Sequence, residues 1–407
     1  MSMGKELYES SSSFRDAMDE CDRLLYPLLS KRLLDVIYPW GDGPAVSAAG
    51  DALNSTELTQ PALFAFEYAL AMMLRSRGTH PDAVMGHSVG EYVAACVAGV
   101  MRLEDALRVM AARGRLVQSL PPGGCMMAVR ASAEECAAGI EACPEVLRVS
   151  VAVAAVNAPR SCVLSGAEDA VDAAVSAMGC ASRRLAVSHA FHSPLLDPVL
   201  GQFREEVSRL QLFAPTVRVV SNVGGVAAGA GELCTVEHWV DHMVKPVDFL
   251  AGARTLERCG TQVAVEIGPD AVLSKLGPQC KAVRLAATGA AVKWIPIVRR
   301  GVECGPAIDD VTSAIESSRA SGGIPASGSG ASLDARALLP GYRPSRYAWM
   351  PHVVPWEVVA QGSNAPPPAR GATGAALAKE GCCGARRQRG CWGGSLALCR
   401  PELPAHC

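Results

Sequence analysis

Gly86-His87-Ser88-Val89-Gly90 is a GxSxG pentapeptide, placed after the short apolar segment Ala83-Val84-Met85 and before a helix-patterned run from Glu91 to Val100. A strand, a tight turn flanked by small residues and a helix starting beneath it make a nucleophile elbow, which lifts a serine hydroxyl clear of the backbone. Ser88 is therefore the candidate nucleophile, with acyl-serine chemistry as the expected reaction class. The N–H of Val89, the next residue, is a candidate oxyanion donor. A serine hydroxyl is a weak nucleophile near neutral pH, so a base must take its proton, and imidazole titrates in the right range. Of the eight histidines, His192 lies in Val187-Ser188-His189-Ala190-Phe191-His192-Ser193-Pro194-Leu195, where the chain leaves one lobe and re-enters another. A residue at such a seam can face the cleft between lobes, which makes His192 the candidate base, with a capping or surface histidine as the alternative.

The elements that must position these groups follow from periodicity and breakers. Residues 5–35 read as helix with Leu24, Leu25, Leu28 and Leu29 on one face, and a second helix is expected after Gln60-Pro61, where proline suits the first turn. Leu103 to Leu120 reads as helix and stops at Pro121-Pro122-Gly123-Gly124. The next stretch alternates as strand 126–129, helix 133–142, strands 149–156 and 161–165, helix 168–178 and strand 183–187. That βαββαβ order is ferredoxin-like. Helix returns at 198–210, followed by a strand at 217–221, a helix through Trp239 and strands at 262–267 and 293–298. The expected fold is an α/β-hydrolase-like large domain with a parallel sheet, residues 1–122 and 191–300, carrying an inserted subdomain at 123–190. Residues 301–360 read as a linker and 361–407 as a low-complexity tail, expected to be disordered.

Composition narrows the function classes. The chain has 407 residues, 49% hydrophobic and 19% charged, with a formal net charge of -2. Nothing in it suggests a nucleic-acid or membrane-surface partner. No apolar run reaches the roughly 18 residues of a membrane span, and the start lacks the apolar core of a secretory signal. A cytoplasmic protein is expected, with a plastid as the alternative. The chain has sixteen cysteines; those in the body are scattered singly without a CxxC pair, and buried free thiols explain them better than disulfides. Cys383, Cys391, Cys399 and Cys407 recur every eight residues, which matches no common zinc spacing, so no metal site is expected.

Several segments carry a resemblance in the same order: GHSVGEY at 86–92, AARGRLVQ at 111–118, VNAP and VLSG within 156–166, VSHAFHSPLLDP at 187–198, SNVGG at 221–225 and EIGP at 266–269. Together they resemble the malonyl-CoA:acyl-carrier-protein acyltransferase family, most of all the acyltransferase domains of modular polyketide synthases. The resemblance covers about residues 1–300, and YRPSRYAW at 342–349 is similar to the linker that follows such domains.

The resemblance implies roles residue by residue. Ser88 would attack the thioester of malonyl-CoA and His192 would accept and return its proton. Arg113 matches the arginine that grips the free carboxylate of the malonyl group, with an exposed helix arginine as the alternative. His242 matches a position whose backbone carbonyl orients the catalytic histidine. His87, His189 and Phe191 belong to the implied substrate site. HAFH is typical of malonyl-selective domains, and the Phe191 ring would fill the space an α-methyl branch needs. The implied acceptor is the phosphopantetheine thiol of an acyl carrier protein, and malonyl-CoA enters as substrate with no bound cofactor.

Members of the family open with a strand and a GQGSQ-like loop whose glutamine amide helps form the oxyanion hole. No GQG occurs in this sequence, and Met3 to Tyr8 resembles the segment just after that motif. The expectation is a large domain with its first strand missing, a gap beside the elbow strand and an activity weakened by the loss of one donor. Asp241 and Asp270 also depart from the family pattern. Two other readings stand beside transfer: a serine hydrolase of thioesterase or patatin-like type, which needs an acidic triad partner, and an inactive truncated fragment.

Overall fold

The computed structural model describes residues 4–39, 50–229, 231–280, 291–299, 304–320 and 347–351. The chain opens with helices α1 (Lys5–Ser10), α2 (Ser12–Leu29) and α3 (Leu33–Ile37). The single helix expected over 5–35 is interrupted because the Ser11 side chain caps α2 by accepting from Phe14 N–H, and Ser30 ends it in the left-handed region at φ 54°. Helix α4 (Thr56–Ser76) begins a turn earlier than Pro61 suggested, so that proline lies inside it. Strand β1 (Ala83–Met85), α5 (Gly90–Val97) and α6 (Leu103–Gln118) follow.

The inserted subdomain comprises β2 (Gly124–Val129), α7 (Ala133–Glu141), β3 (Val151–Ala158), β4 (Ser161–Ala167), α8 (Glu168–Met178) and β5 (Ser182–Arg184). Its sheet order β5-β2-β4-β3 and antiparallel β2–β4, β2–β5 and β3–β4 pairings are those of the ferredoxin-like arrangement. Alternation decides which way each side chain goes. Cys125, Met127 and Val129 join the subdomain's own core with the helices, whereas Met126 turns toward the large domain.

The chain then returns through α9 (Asp197–Ser208), β6 (Arg218–Val220), α10 (Val236–Val244), β7 (Val247–Asp248), α11 (Phe249–Arg258), β8 (Val263–Ile267) and β9 (Lys293–Pro296). Strand β7 adds in parallel to β3, so the small sheet ends in a strand that belongs to the large domain's run of chain. The large sheet, of order β6-β1-β10-β8-β9, is parallel throughout. Both its faces are covered: Val84, Val219 and Val265 enter the core with α2, α4 and α6, while Ala83, Met85, Val220 and Ala264 enter a second core with Phe249 and Leu256.

Two expectations about the C-terminal part are corrected. The linker read at 301–360 contains α12 (Cys304–Ala320), whose Cys304, Ala307, Ile308, Val311, Ala314 and Ile315 are buried. These recur at helical spacing, but small residues between them masked the period. The same linker contains β10 (Tyr347–Pro351), which occupies the sheet position between β1 and β8 where a gap was expected. A parallel strand paired on both sides need not alternate, so YAWMP carried no strand signature by period alone. The tail at 361–407, with its spaced cysteines, lies outside the described residues. Among the described cysteines, Cys21, Cys125, Cys136, Cys143, Cys162, Cys280 and Cys304 are buried free thiols. No helix of the described residues is long and apolar enough to cross a membrane.

Candidate active site

Ser88 stands between the end of β1 and the start of α5 with φ 54°. That left-handed conformation is costly for a residue with a Cβ and turns the side chain out of the elbow. The turn needs glycine at Gly86, because a Cβ there would sit 2.0 Å from the Glu91 nitrogen. Ser88 N–H donates to the Asn222 side-chain oxygen at 2.6 Å, and the Gly90, Glu91 and Tyr92 N–H groups are taken by the carbonyls of His87, Ser88 and Val89. Among the described residues no such backbone partner takes the Val89 N–H, which leaves it as the donor at the helix N-terminus next to the nucleophile.

The Ser88 hydroxyl oxygen lies 2.7 Å from His192 Nε2. On its other side His192 Nδ1 is 3.0 Å from the Lys245 carbonyl. A carbonyl can only accept, so Nδ1 carries the proton and Nε2 is free to take one from the serine. Burial, the nearby Arg113 guanidinium and His87 hold the His192 imidazolium down to a pKa of about 3, so the ring is a neutral base across the physiological range. His192 also sits at φ 53°, so nucleophile and base are both held in a conformation that side chains seldom adopt.

The expectation for His242 is corrected. His242 lies within α10, while Lys245 follows the helix in extended conformation at ψ 155°, which frees its carbonyl to face His192. The orienting carbonyl is thus that of Lys245, one helical turn later. The His242 ring instead packs edge-on against His192, with centroids 6.1 Å apart, and its burial holds its own pKa well below the usual imidazole range.

A cavity of about 530 Å³ opens over Ser88 between the large domain and the subdomain. That is the size of a small-molecule site. Ser88, His87, Arg113, Phe191 and His192 all line it. Arg113 is 1% exposed, with one guanidinium nitrogen donating to the Gln60 side-chain oxygen and its Nε and Nη2 without a hydrogen-bond partner among the described residues. Its approach depends on Gly114, where a Cβ would come within 3.0 Å of the α4 backbone at Thr56 and Glu57. His87 Nε2 is 2.9 Å from the Asn157 side-chain oxygen. His189 is corrected: it is not among the residues lining the cavity, and its ring instead backs Phe191, with centroids 6.4 Å apart.

Sequence reasoning missed Gln60, Asn157, Asn222 and Lys245. Asn157 and Asn222 lie inside the VNAP and SNVGG segments, so the signal was present without a role attached. Gln60 lines the cavity and is joined to the site through its side-chain oxygen, which accepts from Arg113 53 residues away, and nothing in the local sequence marks that contact.

A neutral, buried base has a measurable consequence. The rate of Ser88 acylation should show no break near pH 6.5, where an ordinary histidine titrates. The sign for stability is opposite in kind. His192 and His242 have folded pKa values below the unfolded one, so their contribution is full above about pH 6.5 and is lost as pH falls toward 3, because the unfolded chain then binds more protons. The melting temperature should therefore decline on acidification through a range in which acylation still proceeds. An acylation rate that halves near pH 6.5 would mean that the base is not His192 in this buried state.

Comparison with known proteins places this geometry in a family. The acyl transferase domain family matches residues 1–307. The polyketide synthase GfsB of Streptomyces halstedii is 45% identical over 282 residues, which cover 68% of this chain and 5% of that synthase. The chain thus matches one short part of a very long relative. The acyltransferase domain from the second module of the salinomycin polyketide synthase superposes with a TM-score of 0.66 at 38% identity, over 77% of this chain and 69% of that one. FabD from Acinetobacter baumannii superposes with a TM-score of 0.66 at 25% identity, over 77% and 94% of the two chains. An elbow serine paired with a carbonyl-oriented histidine, in a parallel sheet carrying a ferredoxin-like insertion, is the site this chain brings to that comparison, and the chain belongs to the acyl transferase domain family, in the form found in modular polyketide synthases.

Proposed function

We propose that the chain transfers a malonyl group from malonyl-CoA, through an ester on Ser88, to the phosphopantetheine thiol of an acyl carrier protein. The observation that carries this is Arg113. A guanidinium that is buried, without a carboxylate partner among the described residues, and that lines the same cavity as the nucleophile is costly unless the ligand brings the missing negative charge. The free carboxylate of a malonyl group is such a partner, and a planar guanidinium can bind it bidentately. A thioesterase for apolar acyl groups has no use for that cation. His192 Nδ1 also rests on a carbonyl where a hydrolase triad would place an acid.

The steps balance in protons and bonds. His192 Nε2 takes the Ser88 hydroxyl proton as the oxygen bonds to the thioester carbon, and Val89 N–H donates to the oxyanion that forms. Collapse breaks the carbon–sulfur bond, and the imidazolium returns its proton to the departing CoA sulfur. In the second half, the carrier thiol gives its proton to His192, attacks the serine ester, and Ser88 leaves with that proton restored.

Arg113→Ala should lower the rate of malonyl loading by about a hundredfold while changing acetyl loading by less than about tenfold, since only malonyl presents the second carboxylate. Loading is read as the mass adduct on the intact protein after a timed quench, with free malonate followed in parallel. Equal losses for the two acyl groups would make Arg113 structural, and rapid release of malonate without carrier protein would favour the hydrolase. Phe191→Ser should shift selectivity toward methylmalonyl-CoA by an amount within the roughly 1–3 kcal/mol that one methyl group can supply. An unchanged ratio in a folded variant would place the limiting wall elsewhere.

A further inference from the structure

Ser88 and His192 come from segments 104 residues apart and both hold strained backbone, yet their side chains meet at 2.7 Å. Something must fix the two segments against each other. We propose that Asn222, anchored by the buried carboxylate of Glu91, is the positioning residue that holds nucleophile and base in one frame. The proposal rests on the reading that Ser88 and His192 perform the acyl transfer.

Three groups of Asn222 carry the frame. Its side-chain oxygen accepts from Ser88 N–H at 2.6 Å, and its side-chain nitrogen donates to the Gly86 carbonyl at 2.7 Å. One planar amide therefore bridges the elbow on both sides of His87. An amide offers an acceptor and a donor on the same flat group, and the two elbow partners, one N–H and one carbonyl, dictate which way it faces. The Asn222 backbone carbonyl accepts from Asp248 N–H at 3.0 Å, which ties the end of β6 to β7. Asp248 lies three residues after Lys245, whose carbonyl orients His192. The connection thus runs from the serine backbone through one residue to the segment that holds the base.

The anchor lies on α5, the helix that the elbow begins. Glu91 is fully buried. One carboxylate oxygen accepts from Asn222 N–H at 2.5 Å, and the other accepts from the Ser221 hydroxyl at 2.8 Å and lies 3.1 Å from His238 Nε2. His242 Nε2 is 3.5 Å from the same carboxylate, and no lysine or arginine pairs with it among the described residues. A carboxylate buried without a permanent cation gains little from charge pairing. Its hydrogen bonds instead fix the backbone of Ser221 and Asn222 at the point from which the amide reaches the serine.

Asn222→Ala and Asn222→Asp separate positioning from folding. The aspartate keeps the shape and the acceptor for Ser88 N–H but sets an oxygen against the Gly86 carbonyl. Two rates are measured on the full chain: malonyl loading from malonyl-CoA, and inactivation by phenylmethanesulfonyl fluoride, which needs Ser88 and His192 but not the Arg113 subsite. For Asn222→Ala both rates should fall together by about a hundredfold, the scale of a misplacement near 1 Å, and for Asn222→Asp by about tenfold. The malonyl-CoA concentration at half saturation should stay within about twofold, because the acyl subsite is untouched. The proposal is overturned if both rates stay at the parent value, if half saturation moves while the maximal rate does not, if loading falls while sulfonylation is unchanged, or if neither variant folds. Sulfonylation of Ser88 in the parent protein without any malonyl loading would remove the malonyl reading alone, and the sulfonylation rates would still decide the role of Asn222.

Discussion

Replacing Ser88 with alanine is expected to eliminate the acyl adduct, and His192→Ala to slow its formation by at least about a thousandfold. The hydroxyl is the atom that becomes the ester, so its loss leaves nothing for the acyl carbon to bond to. Loss of the imidazole removes the acceptor that lies 2.7 Å from the hydroxyl, which then keeps its proton. Because the two act as a unit, the double variant should be no slower than Ser88→Ala, and the individual losses should not sum. Intact-mass measurement after a timed exposure to malonyl-CoA reads all three. Both substitutions remove side chains that face the cavity, so the melting temperature should change little. An adduct of normal yield on the alanine variant, mapped by proteolysis to another residue, would overturn the assignment of the site.

Much of this site was legible because its chemistry is concentrated in short runs. GHSVG needs glycine where a Cβ would strike the helix start, and that steric demand writes the elbow into five consecutive residue types. His192 was legible from its place at the seam between two lobes, and the ferredoxin-like insertion from the order of its elements. The groups that were not legible act across distance through single hydrogen bonds. Lys245 contributes only a carbonyl, which any residue could offer, so the residue type held no information and the position was placed one turn early, at His242. Gln60 and Asn222 act through amides whose partners lie 53 and 134 residues away, separations at which local pattern says nothing. The helix Cys304–Ala320 was hidden by a composition rich in small residues, although its buried positions do keep a helical period.

The strand Tyr347–Pro351 has the largest expected effect on stability. It pairs in parallel with Val263–Ile267 along its whole length and with Ala83 and Val84 on the other side, so it joins the elbow strand to the rest of the sheet. Met350 is fully buried there, in the core that contains Met85, Val220 and Phe249. Met350→Ala should cost about 2–5 kcal/mol by the loss of buried contacts and the cavity left behind. Met350→Asp should cost more, because a carboxylate without a partner must be either desolvated or protonated. Against a total stability of about 5–15 kcal/mol, the aspartate variant is expected to be largely unfolded at about 37 °C and the alanine variant to melt several degrees lower. Activity should follow in a particular order. The elbow begins at the end of β1, so as the strand is weakened the loading rate should fall before the subdomain melts, since its sheet β5-β2-β4-β3 makes no pairing with β10. Thermal unfolding by circular dichroism, with hydrogen exchange resolved for residues 83–97 and 124–184, measures both. If Met350→Asp melts with the parent protein and keeps its exchange protection at 83–85, the strand does not occupy this position in solution and another segment completes the sheet.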